Sequence, residues 1–468
     1  MKKKKKKTLV LLCVCLVILV GAYAAVMVYN QKETNQEQET VADDTVKILE
    51  TEGTISEIKV ESQDGTMNFI LKDDVWYEES NPDFNIRQSS LLNMAGVFTK
   101  LVATHTIEQN TENLADYGLD KPRYVLTGTT AEGKKAVLYV GMQNTVTSEY
   151  YVYTDEIPGV YTAGAASINY FTRDMMDFAE LPEYPYVTEG NFLSLETKNN
   201  GEHMKAEVLS ESDYDMSGLL MWYVTEPFEH EYVAHTTTLD TILSAVSELS
   251  YSKAAAFNAS AGELEAMGLA EPVKELAFTY KESETESENA KDETLSYHLY
   301  IGNDNGNGYY YVQEKDSKLV MLMNKSSLDT ILAYTSKDIV NKYFALIYID
   351  SVDSVEIVLD DKSEYTMNPP SSEEKDNASE KLKDLYQSII SVHAEKVVDS
   401  YTGTLSMLPL SVTFHRNVDP KTYKIEFAEY DTSYYLAVVD GEGIYLVNKR
   451  DYDQYCVDLK EGFETLEK

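Results

Sequence analysis

Spaced histidines and carboxylates would be the first sign of metal or acid–base chemistry in this chain of 468 residues, which carries seven histidines and 79 acidic side chains. The nearest histidine pair lies in His230-Glu231-Tyr232-Val233-Ala234-His235, with four residues between the rings. Zinc-peptidase chemistry needs two histidines one helical turn apart with a glutamate between them, so that both rings meet one ion. This segment reads instead as an extended connection ahead of a helix. The seven histidines read as surface or loop residues. Asn303, Asn305, Asn307 and Glu314 do fall on the ligand positions of a calcium loop counted from Asn303. However, the following Tyr309-Tyr310-Tyr311-Val312 has strand character, so GNDNGNGYYY (302–311) reads as a turn between strands. The same stretch lacks the lysine and the helix of a phosphate-binding loop. No GxSxG elbow occurs, and carboxylate pairs in so acidic a chain single out no glycosidase couple. No catalytic, cofactor-binding or metal-ligating residue is therefore assigned, and the chain is read as a non-enzyme without a cofactor.

Tyrosine is the other unusual residue, with 36 copies. It occurs in strand-like pairs at Tyr150-Tyr151, Tyr310-Tyr311 and Tyr434-Tyr435. Successive strand residues face opposite sides, so each pair places one ring inward and one outward. Cross-strand aromatic packing is the simpler role for the outward rings. A platform for a partner protein or a glycan is the functional one, and these six residues form the candidate interaction surface.

The elements that would position them recur along the chain. Tyr117-Gly-Leu-Asp-Lys-Pro122 returns as Met267-Gly-Leu-Ala-Glu-Pro272. A strand-like run follows each, then a second strand ending in glycine, AVLYVG at Gly141 and YHLYIG at Gly302. The acidic stretch KESETESENAKDE (281–293) accounts for the longer spacing in the second copy. A third, divergent copy runs through TYKIEFA and SYYLAVV, with Gly403-Thr-Leu standing in poorly for the glycine turn. Ahead of these, ISEIKVESQDGTMNFILKDDVWYEE (55–79) alternates apolar and polar residues around Asp64-Gly65, the pattern of a β-hairpin. Helix-period stretches begin at Arg87, Thr236 and Ala378. The expected fold class is thus α+β: an N-terminal transmembrane helix followed by three repeated units of mainly antiparallel β-sheet, each with one long helix.

The N-terminus carries the targeting signal. Six lysines, Lys2 to Lys7, precede an uncharged run from Thr8 to Asn30. About 20 apolar residues span a bilayer core, and the lysines keep the N-terminus cytoplasmic. Ala22-Tyr23-Ala24 has the form that signal peptidase accepts, but the apolar run continues to Val28, which favours an uncleaved anchor. Beyond the lysine cluster 34 basic residues face 79 acidic ones. Such a surface repels nucleic acid and anionic lipid. Only Cys456 lies beyond the apolar run, so no internal disulfide is expected there. The expected organisation is a cytoplasmic basic segment (1–7), an anchor (8–30), a flexible stalk (31–46), and units at 47–182, 183–345 and 346–468. The bulk of the chain is then extracytoplasmic at the cell membrane.

Together the glycine turn, the strand ending in VG or IG and the YYV strand resemble an uncharacterised bacterial envelope family, the domain of unknown function 4340. That resemblance implies an accessory role beside an ABC transporter permease and ATPase of the gliding-motility or ABC-2 type. The expected function is therefore a membrane-anchored interaction protein of such a system. Recognition of a cell-wall polymer or glycan is the alternative, and an envelope hydrolase a third. The sequence names no small-molecule ligand.

Overall fold

A computed structural model describes residues 46–208, 222–282 and 293–466. Contacts divide the chain into two compact units, one ending at Glu180 and one beginning at Leu181. The first holds an eight-stranded antiparallel sheet; the second holds a nine-stranded and a seven-stranded one. A two-stranded sheet pairs Lys47–Glu50 with Lys100–Val102 in the first unit.

One strand order runs through all three large sheets. The first hairpin strand lies beside the strand that begins the later meander: Ile55–Ser62 beside Tyr124–Thr130, Phe192–Asn199 beside Lys274–Glu282, and Val352–Val358 beside Met407–Arg416. Four strands then run outward to the far edge. That edge is closed by the strand that follows each helix: His105–Glu108, Tyr251–Phe257 and Lys396–Val397. In the first sheet, strand Ile55–Ser62 pairs with Gly65–Lys72 across the Asp64-Gly65 turn, as its alternation predicts.

The helices cover one face of their sheets. Helix Gln88–Thr99 buries Leu91, Met94, Val97 and Phe98, a spacing of three and four that makes one apolar stripe. Its Phe98 ring lies over Gly128, where a Cβ would come within 2.5 Å of the ring. Helix Thr236–Ser247 buries Leu239, Ile242, Leu243 and Val246 in the same way. In the C-terminal part, helices Asn377–Ile390 and Lys449–Leu466 pack together, with the Tyr455 hydroxyl donating to the Ile389 carbonyl at 2.7 Å.

The repeated glycine turn has a definite geometry. Gly118 and Gly268 end a helical turn in the left-handed region, at φ 66° and 72°. Leu119 and Leu269 donate back to the carbonyls of Leu114 and Leu264 at 2.9 and 2.8 Å, and the glycine amides donate to Ala115 and Glu265. This is a Schellman ending, which glycine satisfies without strain. The carbonyl just before each turn glycine is directed at the strand-end glycine: a Cβ on Gly141 would lie 2.3 Å from the Tyr117 oxygen, and one on Gly302 2.2 Å from the Met267 oxygen. Turn and strand end therefore form one joint that needs glycine on both sides.

The expected fold class is corrected. Strands take 42% of the described residues and helices 23%, arranged as four antiparallel sheets, so the chain is mainly β rather than α+β. A unit with one long helix is not the pattern either, since eight α-helices are spread unevenly through the described residues. The physical reason lies at the end of each helix-period stretch. Its last residues switch to extended structure and become the strand that closes the sheet edge, as in His105–Glu108 after Gln88–Thr99, with Lys100–Val102 between them joining the two-stranded sheet. The expected transmembrane helix, residues 8–30, lies outside the described residues. No described helix is long and apolar enough to cross a membrane.

Candidate functional site

The second compact unit encloses a cavity of about 370 Å³. Its walls come from three places: the segment after strand Trp222–Glu226, the connection Asn341–Ile347 between the two sheets, and the turns at one end of the seven-stranded sheet. The connection alternates in burial: Phe344, Ala345 and Ile347 are buried, whereas Tyr343 and Leu346 are 51% and 46% exposed. It thus seals the core on one side and furnishes a rim on the other. Strand Met407–Arg416 ends by turning its last side chain inward, and Arg416 is 6% exposed. Its Nη1 lies 3.5 Å from the Pro420 carbonyl. Asp440 and Gly441 form the tight turn before Glu442–Asn448, with φ of 47° and 97°, the conformations that Asp-Gly favours in a hairpin.

The floor is aromatic. Tyr223, Tyr232, Phe344 and Tyr445 are all buried there. The Tyr445 ring stacks on Phe344 at 4.5 Å and meets Tyr232 edge-on at 5.5 Å. Tyr423 holds the connection in place, its hydroxyl donating to the Phe344 carbonyl at 2.5 Å. Burial pushes the Tyr223 phenol up to about 12, with the Arg416 charge acting against the rise. It raises Tyr232 and Tyr445 further, so all three stay neutral hydroxyls at physiological pH.

Beneath the rim, Glu442 fastens one sheet to the other. Its carboxylate is 4% exposed. Oε1 accepts the Glu229 backbone N–H at 3.2 Å, and Oε2 accepts the His230 N–H at 3.1 Å and the Tyr232 hydroxyl at 2.8 Å. The Ser400 hydroxyl donates to it as well. A buried carboxylate is stable only when its lone pairs are filled in this way. The rim itself is acidic, with Glu229, Glu231 and Asp440 exposed around it and His230 beside them.

Asp440 sits on an exposed turn, yet the surrounding walls take enough water from its carboxyl to raise its pKa; the Lys424 N–H and the charges of His230 and Arg416 pull it back. A raised carboxyl pKa means that the folded state binds its proton more readily than the unfolded chain. Its stabilising contribution is complete below the unfolded value of about 4 and is lost as pH rises through the folded value. Asp440→Asn should therefore melt higher than the native protein at pH 7, and the gap should close towards pH 4. Thermal unfolding followed across that range tests it; an unchanged gap at both ends would leave only the turn preference of Asn-Gly as the cause.

The residues singled out in the sequence are placed as follows. Tyr150 is buried and donates to Asn169 at 3.0 Å; half-buried Tyr151 accepts from Asn144 and packs on Tyr117. Tyr310 is buried and donates to Asp329 at 2.8 Å, with the ammonium groups of Lys274 and Lys325 over its ring. Tyr311 is half-buried beside it. Tyr434 donates to Glu395 at 2.8 Å, and Tyr435 packs on Tyr452 with Lys449 over its face. Five of the six rings, all but Tyr311, are thus engaged within their own sheet region. In the calcium-like loop, the Asp304 and Asn305 oxygens accept the turn amides of Gly306, Asn307 and Tyr309, and Asn303 donates to Ala266. His203 and His298 pair with Glu196 and Glu275. His230 belongs to the chamber rim, whereas His235 stands before helix Thr236–Ser247 and pairs with Thr238. Among the described residues, no group of three His, Cys, Asp or Glu side chains could hold a metal ion. Burial lifts the Cys456 thiol to about 12, which keeps it protonated.

Sequence reasoning did not reach Arg416, Glu442 or Tyr445 as a group. A usable signal existed in each: Arg416 ends an alternating apolar strand, and Glu442 opens the apolar run Gly443-Ile444-Tyr445-Leu446-Val447. A charge at the end of a buried strand needs a partner, and here the partners come from a segment some 200 positions away in sequence.

No curated protein and no solved structure matches the chain. A family model described as "Domain of unknown function (DUF4340)" matches residues 76–272 and, overlapping them, 222–406. The two matches begin within the first and the second large sheet and each runs past the start of the next copy of the pattern, so the chain belongs to the DUF4340 family.

Proposed function

We propose that this chain is an extracytoplasmic, non-enzymatic interaction protein that serves as an accessory subunit of an ABC-type transport system of the gliding-motility or ABC-2 kind, with the chamber as its recognition site. The observation that supports recognition is the commitment of the chamber's charges. Glu442 spends its lone pairs on holding the loop 229–232, and the buried phenols are held neutral by burial. Phenols held in this way offer hydrogen bonds and do not exchange protons near neutral pH. The concave aromatic floor with a few convergent polar groups is the usual make-up of a binding pocket. The transport association rests on the family resemblance alone.

In-cell crosslinking of the full-length protein through a photoreactive residue at Tyr343 tests the reading. Recovery of an ABC permease or its ATPase is the expected result. Recovery of wall material alone, or of no protein, would overturn it and put polymer binding first.

A further inference from the structure

We infer that Asn307 is a site of spontaneous covalent modification, at which the side-chain amide is lost as ammonia through a succinimide formed with Gly308. The other Asn-Gly pairs of the chain are held back by their own turns. The inference goes beyond the recognition reading and depends neither on the chamber nor on a transporter.

Glycine after asparagine favours this chemistry, because it has no Cβ to hinder its backbone nitrogen and it adopts backbone conformations closed to other residues. The chain has three such pairs: Asn200-Gly201, Asn305-Gly306 and Asn307-Gly308. The structure separates them. In Asn305-Gly306 both reacting groups are occupied. Asn305 Oδ1 accepts the amides of Asn307 and Tyr309 at 2.8 and 3.2 Å, and the Gly306 N–H donates to Asp304 at 2.8 Å. In Asn200-Gly201 the asparagine is tethered twice. Its N–H donates to the Val273 carbonyl and its side-chain amide to Asn199 Oδ1, both at 2.9 Å. Asn307 and Gly308, by contrast, are both exposed. Among the described residues the Asn307 side chain has no partner, and no acceptor meets the Gly308 N–H. Of the three pairs, only this one leaves both the attacking nitrogen and the side chain it attacks unengaged.

The Gly308 nitrogen gives up its proton and bonds to Cγ of Asn307, which closes a succinimide ring. The Cγ–Nδ2 bond breaks, and the amide nitrogen takes up a proton and leaves as ammonia. Water then cleaves one of the two ring C–N bonds. Cleavage at Cγ leaves aspartate; cleavage at the main-chain carbonyl leaves isoaspartate, with an extra methylene in the backbone. A water is consumed and an ammonia released, and nothing is oxidised or reduced. Either product carries a carboxylate where the asparagine was neutral. Isoaspartate also displaces Gly308, whose carbonyl accepts the Lys325 N–H at 3.0 Å at the start of helix Lys325–Leu332. The modification therefore bears on the joint between this turn and that helix.

The experiment is peptide mapping by mass spectrometry of the purified full-length protein, aged at mildly alkaline pH in native buffer and, in parallel, unfolded in urea. In the folded protein Asn307 should convert about tenfold faster than Asn305 or more, because the hydrogen bonds on Asn305 and Gly306 must break before that pair can react. Asn200 should lag as well. Urea removes the turn contacts, so the three rates should converge there. Asn305 or Asn200 reacting as fast as Asn307 in the folded protein would overturn the inference. So would an Asn307 left intact in the folded protein over a period in which the unfolded chain deamidates.

Discussion

Glu442→Ala is expected to lower the stability of the second compact unit by about 3 kcal/mol or more, since hydrogen bonds to a charged group contribute about 1.5–3 kcal/mol and buried donors left unpaired add their own cost. The carboxylate receives four hydrogen bonds, and three of them come from one short stretch, Glu229 to Tyr232. Alanine would leave two backbone N–H groups and two hydroxyls facing a void in the seam between the nine-stranded and seven-stranded sheets. Glu442→Gln is expected to fall between, because an amide keeps one acceptor but presents N–H where donors already point. Ser400→Ala should cost only about 1 kcal/mol, because Glu442 keeps its other partners. Urea unfolding of the three variants gives the order directly. A Glu442→Ala protein within about 0.5 kcal/mol of native, the usual range of a surface change, would show that the seam is held by its apolar contacts instead. Tyr445 on Phe344 and Tyr232 would then be the contacts to examine.

The sequence made the sheets more legible than the site, for a physical reason. Alternation along Ile55–Ser62 and Gly65–Lys72 is a local property, written by the burial of one face, and the Asp64-Gly65 turn between them is local too. The paired glycines were visible as well, since the joint they form recurs with the same residues at Gly118 with Gly141 and at Gly268 with Gly302. The third copy of the sequence pattern lacks the turn glycine and also ends its strand in Glu429 rather than glycine. A missing carbonyl contact removes the need for the strand-end glycine, so the two are absent together. Helix ends were less legible. The residues after Thr99, Ser247 and Ile390 keep enough apolar character to prolong a helical pattern, yet edge pairing with a distant strand makes them extended. The C-terminal helix Lys449–Leu466 was hidden in the same way, because its buried Tyr452, Tyr455, Leu459 and Phe463 are diluted by acidic neighbours. The chamber was not legible at all. Its walls combine residues near positions 230, 344, 416 and 442, and nothing in their local sequence says that a loop from one sheet will be tied to a carboxylate of the next.

The strand-end glycines provide the second large effect, and one that separates backbone geometry from side-chain chemistry. Gly302→Ala adds a single methyl group, yet that Cβ would stand 2.2 Å from the Met267 carbonyl oxygen and 3.0 Å from the Leu269 side chain. A backbone oxygen cannot swing aside as a side chain can. The turn is held by the amides of Gly268 and Leu269 bonded to Glu265 and Leu264, and Leu269 is itself buried. Relief therefore requires the helix Ala261–Met267 to lift from strand Glu293–Asp304, or the strand to bend. Overpacking in a well-filled site costs about 1–3 kcal/mol, and the upper end applies where backbone must move. Gly141→Ala should behave alike in the first unit, its Cβ 2.3 Å from the Tyr117 oxygen. The control is Gly262→Ala, which lies inside the helix Ala261–Met267 with open space around its Cβ position. There alanine should be neutral or stabilising by up to about 1 kcal/mol, the helix-propensity difference. Chemical denaturation of Gly302→Ala and Gly262→Ala side by side should thus give shifts of opposite sign from the same chemical change. If both shifts were small, the close approach of turn and strand would be slack enough to admit a methyl group. The recurrence of glycine at both ends of the joint would then need another explanation than packing.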